Sequence, residues 1–367
     1  MTTKKSHKKY NLNKNSKLKI SKVVVNKGGK KNTKNLKNVK NNPYNKFIYL
    51  DEKNRIIKDS NTLTRINQLR IPPGYHDVKI STAKNSKIQA VGYDNLGRKQ
   101  YIYHQTFIDK NRDTKYNNII KLGENINRIK SQVTKILDEI ADKPHNSWSQ
   151  PISNIAIIVY LLYKCNIRVG NFKYAKRYGS YGATTLCKKH IAIDKNKNKV
   201  FIEFIGKKGV SNKCEITSQK MTQIFTKLKN NTEEFLFTYN DGSLVSSDQI
   251  NNYLKMFNPE LTPKMFRTWY ANHYFLQKLR LDYQNNDQEL IKVMNGKKNN
   301  KYLRSCFLCV AEKLHNTANV SKKSYLDYQI LELFSSKPKE FIAFLQKNKK
   351  MDTDKLLITI IKTIRNN

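Results

Sequence analysis

Residues 99–140 read KQYIYHQTFIDKNRDTKYNNIIKLGENINRIKSQVTKILDEI, and the hydrophobic period changes within them. At the start Tyr101 and Tyr103 alternate with Gln100 and Ile102, the two-residue period of a strand. Further on, Ile119, Ile120, Leu122, Ile126, Ile129, Val133, Ile136, Leu137 and Ile140 recur at helical spacing. A β region therefore hands over to a helical one near Asp109, and the rest of the chain sorts itself around that point.

Upstream, the runs Val78–Ile80, Ile88–Tyr93 and Gln100–Tyr103 are β-rich and short. Pro72-Pro73-Gly74 and Asn95-Leu96-Gly97 punctuate them as turns. Residues 46–108 are read as a small antiparallel β domain, with order beginning near Phe47-Ile48-Tyr49-Leu50. Residues 1–45 are rich in Lys and Asn and low in complexity, and are expected to be a disordered basic tail. Downstream, residues 109–367 carry helical patterns over 151–165, 217–230, 246–257, 264–280, 286–316, Leu326–Phe334 and Pro338–Ile364. One interruption, Ile191–Ile193, Val200–Ile205 and Cys214–Ile216, predicts a three-stranded insert. The expected fold class is α+β: a small antiparallel β N-terminal domain and a mainly α-helical domain with a three-stranded β insert.

The chain has 367 residues, with 70 Lys+Arg against 28 Asp+Glu and a formal charge of +42. Residues 1–46 hold 15 lysines and no Arg, Asp or Glu. The remainder still has 55 cations against 28 acids, a charge of +27. An AT-rich genome inflates Lys and Asn, but it does not explain the shortage of acids. A body this basic repels itself and calls for a polyanion, with nucleic acid the expected counterpart and a membrane surface, for want of a basic amphipathic helix, the weaker option. The longest apolar run, Ile155–Tyr163, stops at Lys164, well short of a bilayer span, and no secretory leader is visible. A membrane or exported protein is not expected. Five cysteines at irregular spacing argue for free thiols in a reducing compartment. The Cys306/Cys309 C-x-x-C lacks a second pair and sits among apolar residues, so core packing is favoured over a metal.

No nucleotide-cradling G-x-x-x-x-G-K-[ST] and no G-x-G-x-x-G is present. The only D-x-D, Asp352/Asp354, is read as a surface helix cap rather than a two-metal site. What remains is passive binding or metal-free chemistry on phosphate. Such chemistry needs a nucleophile, cations for the phosphate oxygens and a proton donor for the leaving oxygen. Arg168 follows an apolar helix end, in Asn166-Ile167-Arg168-Val169-Gly170-Asn171. Lys207 lies at a strand-turn position, in Phe204-Ile205-Gly206-Lys207-Lys208-Gly209. Arg267 lies in Lys264-Met265-Phe266-Arg267-Thr268-Trp269, and Tyr325 closes the basic run Ser321-Lys322-Lys323-Ser324-Tyr325. Any one of these alone reads as an ion pair or as packing. Their order is more specific.

With Arg70-Ile71-Pro72-Pro73, Gly97-Arg98-Lys99-Gln100-Tyr101-Ile102-Tyr103 and Gly182-Ala183-Thr184-Thr185-Leu186, the ordered set resembles the type IB DNA topoisomerases, in their compact poxvirus-like and bacterial branch. The resemblance runs from about Leu69 to Tyr328. It implies relaxation of positive and negative supercoils by single-strand cleavage, rotation and religation, without ATP, metal or other cofactor. Tyr325 would form a 3′-phosphotyrosyl link, Arg168 and Arg267 would balance transition-state charge, and Lys207 would protonate the departing 5′ oxygen. Poxviral members place a histidine nine residues before the nucleophile. Here that position is Asn316, with His315 one residue earlier. An amide N–H can donate the same bond to a phosphate oxygen, and Asn316 is preferred. The resemblance also implies DNA contacts from Arg98, Gln100, Tyr101, Tyr103 and Tyr174, on a C-shaped clamp that closes around the duplex as a monomer. It places the chain inside a cell: in the virion or replication site of a large DNA virus, or in a bacterial nucleoid. Two other readings compete. A tyrosine recombinase shares the Arg-Lys-Arg-Tyr chemistry but usually shows H-x-x-R where this chain has Lys264-x-x-Arg267. A non-enzymatic DNA-packaging protein would need charge alone.

Overall fold

The computed structural model describes residues 18–24, 47–230, 234–296 and 300–366. The chain divides between Thr114 and Lys115 into two compact units.

The first unit is built on a five-stranded antiparallel sheet of β1 (Leu18–Val24), β2 (Phe47–Leu50), β3 (His76–Ser81), β4 (Ile88–Tyr93) and β5 (Lys99–Tyr103), in the order β2-β1-β3-β4-β5. Helix α1 (Ser60–Gln68) starts where the Asp59 side chain accepts from the Thr62 amide at 2.8 Å. It contributes Ile66 to a core shared with Ile20, Val78, Ile80 and Ala90. The expectation that order starts near Phe47 is corrected here. Leu18–Val24 pairs with both β2 and β3, and Ile20 is buried. A strand needs only alternate residues inside, and Lys19 and Lys22 merged this one with the Lys/Asn-rich composition around it. Lys22 reaches the carbonyls of Pro72 and Pro73 and lies over the Phe47 ring. The rest of the expected tail lies outside the described residues.

The second unit is mostly helical. Helix α2 (Gln105–Ala141) carries the apolar stripe that opened the sequence reading. Ile119, Leu122, Ile126, Ile129, Val133, Ile136, Leu137 and Ile140 are buried, and Ile120 packs at the margin. Gly123 lies on the same face because a Cβ there would meet the Trp269 ring at 2.2 Å. Helix α3 (Gln150–Lys164) is apolar on nearly every side and buried accordingly. After α4 (Phe172–Tyr178) comes the insert, an antiparallel sheet of β6 (Ile191–Asp194), β7 (Lys199–Ile205) and β8 (Ser211–Thr217). Helices α5 (Gln219–Asn230), α6 (Ser247–Lys255), α7 (Pro263–Gln284), α8 (Gln288–Met294), α9 (Asn300–Lys313), α10 (Ala318–Ser324), α11 (Tyr328–Ser336), α12 (Pro338–Lys347) and α13 (Thr353–Asn366) complete the unit. Among the described residues no helix is long and apolar enough to cross a membrane.

Two further expectations change. Cys165, at the end of α3, and Cys214, on β8, are joined by a disulfide, so the cysteines are not all free. The fold brings residues 49 positions apart in sequence to a Cα separation of 5.5 Å. Cys306 lies in the core of α9, as packing predicts. Asp354, taken as a surface residue, is buried, and its carboxylate gathers Lys130, Trp269 and His273 at 2.8–2.9 Å. These three donors offset the cost of desolvating the carboxylate, and sequence spacing cannot show donors from two other helices.

Candidate active site

The site forms where three helix ends meet. Helix α3 stops because Asn166 takes a left-handed backbone, φ +53°. The chain then runs through Arg168 to Gly170 (φ +98°), where it lies against Gly182. A Cβ on Gly182 would stand 2.5 Å from the Gly170 nitrogen and 2.6 Å from the Arg168 carbonyl oxygen. The Ala183 amide donates to that carbonyl at 2.8 Å, and the Thr184 amide donates to the Val169 carbonyl at 2.7 Å. Arg168-Val169-Gly170 and Gly182-Ala183-Thr184-Thr185 are thus one interlocked piece, and it fixes where the Arg168 side chain begins.

Arg267 sits on α7 between Phe266 and Trp269, both fully buried, and is itself 2% exposed. Its three nitrogens are all used. Nη1 donates to the Asn166 carbonyl, Nη2 to the Leu314 carbonyl at 2.6 Å, and Nε to the Tyr325 hydroxyl at 3.3 Å. Burial lowers its guanidinium to about 10; Tyr325 opposes the drop and Arg168 adds to it. The group stays a cation at neutral pH.

Tyr325 follows α10 as its C-terminal cap, with a buried ring. Arg168 Nη2 reaches its hydroxyl at 3.4 Å, and the Arg267 guanidinium lies 5.0 Å from the ring centroid. Burial works against ionising this phenol. The charges of Arg267 and Arg168 outweigh that, helped by their hydrogen bonds, so its pKa falls below the ordinary tyrosine value. A buried phenol between two guanidiniums is thus held where its ionised form is favoured.

Asn316 and His315 separate cleanly. His315 ends α9 with φ +50°, and its Nε2 faces the Cys165 carbonyl at 3.2 Å. The Asn316 Oδ1 accepts from Arg168 Nη2 at 3.1 Å, while its Nδ2 is buried with no partner. That leaves an amide nitrogen with its N–H groups unbonded next to Arg168. Lys207 is not part of this cluster. It is exposed on the β7–β8 turn, where Lys208 and Gly209 both adopt positive φ, and no hydrogen bond joins it to Tyr325 or either arginine among the described residues.

Three backbone holders escaped the sequence reading. Asn272, 1% exposed on α7, donates to the Tyr325 carbonyl at 3.1 Å and accepts from the Asp327 amide at 2.8 Å. A polar side chain amid the buried run Phe266–Leu276 was its only signal. Lys115 and Tyr116 of α2 donate to the carbonyls of Ser324 and Leu326. Nothing in the sequence places residues more than 200 positions apart together.

The sequence-derived DNA contacts lie in both units. Tyr101 and Tyr103 share the outer face of β5, exposed and stacked with ring centroids 6.1 Å apart. Arg98 and Gln100 are both bonded to Asp94, through Arg98 Nε at 2.8 Å and Gln100 Nε2 at 2.9 Å. Tyr174 is 51% exposed on α4 and packs against Tyr178 at 5.7 Å.

Comparison with known proteins gives a consistent set. The family model of the eukaryotic DNA topoisomerase I catalytic core matches residues 104–352, and that of the bacterial DNA topoisomerase IB N-terminal domain matches residues 46–94. The chain is 30% identical over 332 residues to DNA topoisomerase 1B of Acanthamoeba polyphaga mimivirus, covering 87% of this chain and 93% of that protein. It is 26% identical over 294 residues to DNA topoisomerase 1B of vaccinia virus (strain Copenhagen), covering 77% and 85%. Among solved structures, the XerH site-specific recombinase bound to its difH substrate aligns over 56% of this chain and 50% of that one, at TM-score 0.32 and 16% identity. That likeness is too slight to carry an argument.

Proposed function

The chain belongs to the type IB DNA topoisomerases, and on that premise we propose that Tyr325 is the nucleophile that breaks and restores one strand of its DNA substrate. The phenolic oxygen attacks the scissile phosphorus as its proton departs to solvent. A P–O(Tyr325) bond forms on the 3′ side, the P–O5′ bond breaks, and Lys207 gives its proton to the leaving 5′ oxygen. Arg168, Arg267 and the Asn316 amide take up charge on the non-bridging oxygens, and rotation of the free end is followed by the reverse reaction. The ester retains the energy of the broken bond, so ATP is not required.

One observation carries this reading: two guanidiniums converge on a single buried phenol, next to an amide N–H with nothing to bond. Preorganised donors of this kind are worth most where water is excluded. For Lys207 the support is its place on an exposed turn, from which a long side chain reaches outward. Exposed Tyr101 and Tyr103 on one unit and Tyr174 on the other support duplex contacts from each, and the chain is proposed to act as a monomer. Arg98 and Gln100 would exchange Asp94 for DNA. The viral relatives favour action where a viral genome is copied or packaged.

Relaxation of a supercoiled plasmid in EDTA without ATP tests the reading. The wild-type chain should relax both signs of supercoil, and Tyr325→Phe should bind DNA but relax nothing. Lys207→Ala should slow cleavage of an ordinary 5′-oxygen substrate, and a 5′-bridging sulfur, which needs little protonation, should restore the rate. Without that restoration Lys207 is not the acid.

A further inference from the structure

Tyr325 stands at the end of a helix, where the last carbonyls have no partners along the chain. Here each of three consecutive carbonyls around the nucleophile is taken by a side chain from another helix. Lys115 Nζ donates to Ser324 O at 2.7 Å, Asn272 Nδ2 to Tyr325 O at 3.1 Å, and the Tyr116 hydroxyl to Leu326 O. Lys115 and Tyr116 are neighbours on α2, so one turn of that helix grips the nucleophile's backbone on both sides.

We propose that Lys115 and Tyr116 are positioning residues for DNA cleavage, setting the direction of the Tyr325 hydroxyl by fixing the peptide groups before and after it. The inference rests on Tyr325 being the nucleophile. The backbone of Tyr325 has φ −133° and ψ −37°, outside the helix that precedes it. The torsions of a cap residue are set by what its flanking carbonyls bond to. With both flanking carbonyls held, the phenol stays between Arg168 and Arg267; with either released, the terminal turn can rotate and the 3.3 Å and 3.4 Å contacts lengthen. The surroundings of both groups fit this role. The Tyr116 ring is 1% exposed and leaves only its hydroxyl to act. Lys115 lies 3.9 Å from that ring's centroid. Burial lowers the Lys115 amine to about 8, with Lys264 adding to the fall and Asp327 opposing it. Misplacing a nucleophile by about 1 Å costs on the order of 100-fold in rate.

The test uses the full chain with saturating duplex DNA in single-turnover cleavage, with DNA affinity and thermal unfolding measured alongside. Tyr116→Phe removes one oxygen, Lys115→Met removes the donor at similar length, and Lys115→Arg keeps a donor. Tyr116→Phe and Lys115→Met should each slow cleavage by about 10- to 100-fold. DNA affinity should stay near wild type, the unfolding temperature should fall only by what one carbonyl loses with its donor, leaving the protein folded under the assay conditions, and Lys115→Arg should recover most of the rate. Wild-type cleavage rates in both deletions would overturn the inference. So would weaker DNA binding with an unchanged saturated rate, the mark of a phosphate contact, or a rate that follows only the loss of folded protein and is not restored by Lys115→Arg. If the wild-type chain forms no adduct at Tyr325, the underlying reading has failed; an adduct that forms there regardless of these substitutions removes this inference alone.

Discussion

Arg267 donates through Nε to the Tyr325 hydroxyl at 3.3 Å while its other two nitrogens hold the carbonyls of Asn166 and Leu314. The same guanidinium therefore orients the phenol and ties the end of α3 to the end of α9, the two places from which Arg168 and Asn316 arise. Under the proposed mechanism one cation at the phosphate also fixes the others in place.

That triple use makes Arg267→Lys a severe change despite the retained charge. An ammonium has no planar fork and cannot reach all three acceptors. Single-turnover cleavage should fall at least about 100-fold. The Asn166 and Leu314 carbonyls left short of donors should cost about 1–3 kcal/mol of stability, read by denaturant unfolding. A rate within a few-fold of wild type would mean that charge alone suffices.

Asn316 and His315 should separate by assay. Asn316→Ala deletes the unpartnered Nδ2 together with the Oδ1 that accepts from Arg168, and should lower the cleavage rate by about 10²–10³-fold. His315→Ala removes a contact with the Cys165 carbonyl, and should show mainly in stability. Cleavage rates under saturating DNA and melting curves for the two variants would expose a reversed assignment.

Acid should weaken the second unit through Asp354. Burial would raise this carboxyl, but its hydrogen bond with His273 and the charges of His273 and Lys130 hold it well below the usual carboxylate range. Its folded value is depressed, so its contribution is complete above the unfolded value near pH 4 and drains away as pH falls below that. Asp354→Asn should lower stability at pH 7 by about 1–3 kcal/mol and flatten the pH dependence below about 4. Urea unfolding from pH 2 to 7 checks both, and parallel curves for the two proteins would refute it.

Truncation should distinguish the basic N-terminus from the strand inside it. Deleting residues 1–45 removes β1, which lies between β2 and β3, and should break the first unit's sheet and abolish high-affinity binding. Deleting residues 1–17 removes the lysines ahead of that strand and leaves the strand in place. Binding should weaken as salt rises, with cleavage at low salt unchanged. Circular dichroism and salt-titrated DNA binding read the two effects, and equal behaviour of the two deletions would count against β1.

The parts that were legible in the sequence share one physical property: they are local. The stripe from Ile119 to Ile140 is a period along one helix, and each strand of the insert lies between its own turns. Arg168 with Gly170, and Arg267 with its aromatic neighbours, are likewise short-range patterns, and their order along the chain pointed to the cluster they form. What stayed hidden depends on distant partners. Leu18–Val24 is a strand only because β2 and β3 accept it, and Asp354 is internal only because α2 and α7 bring donors to it. Lys115 and Ser324 are 209 residues apart, and no spacing rule spans that distance. Lys207 was visible as a turn lysine, yet its sequence context said nothing of its reach.

The most direct measurement stops the reaction on supercoiled DNA with denaturant, digests protein and nucleic acid, and locates the modified peptide by mass spectrometry. The account predicts a nucleotide joined through its 3′ phosphate to Tyr325, in amounts that rise with cleavage and vanish in Tyr325→Phe. A nucleotide on any other residue, or relaxation that proceeds in Tyr325→Phe, would contradict it.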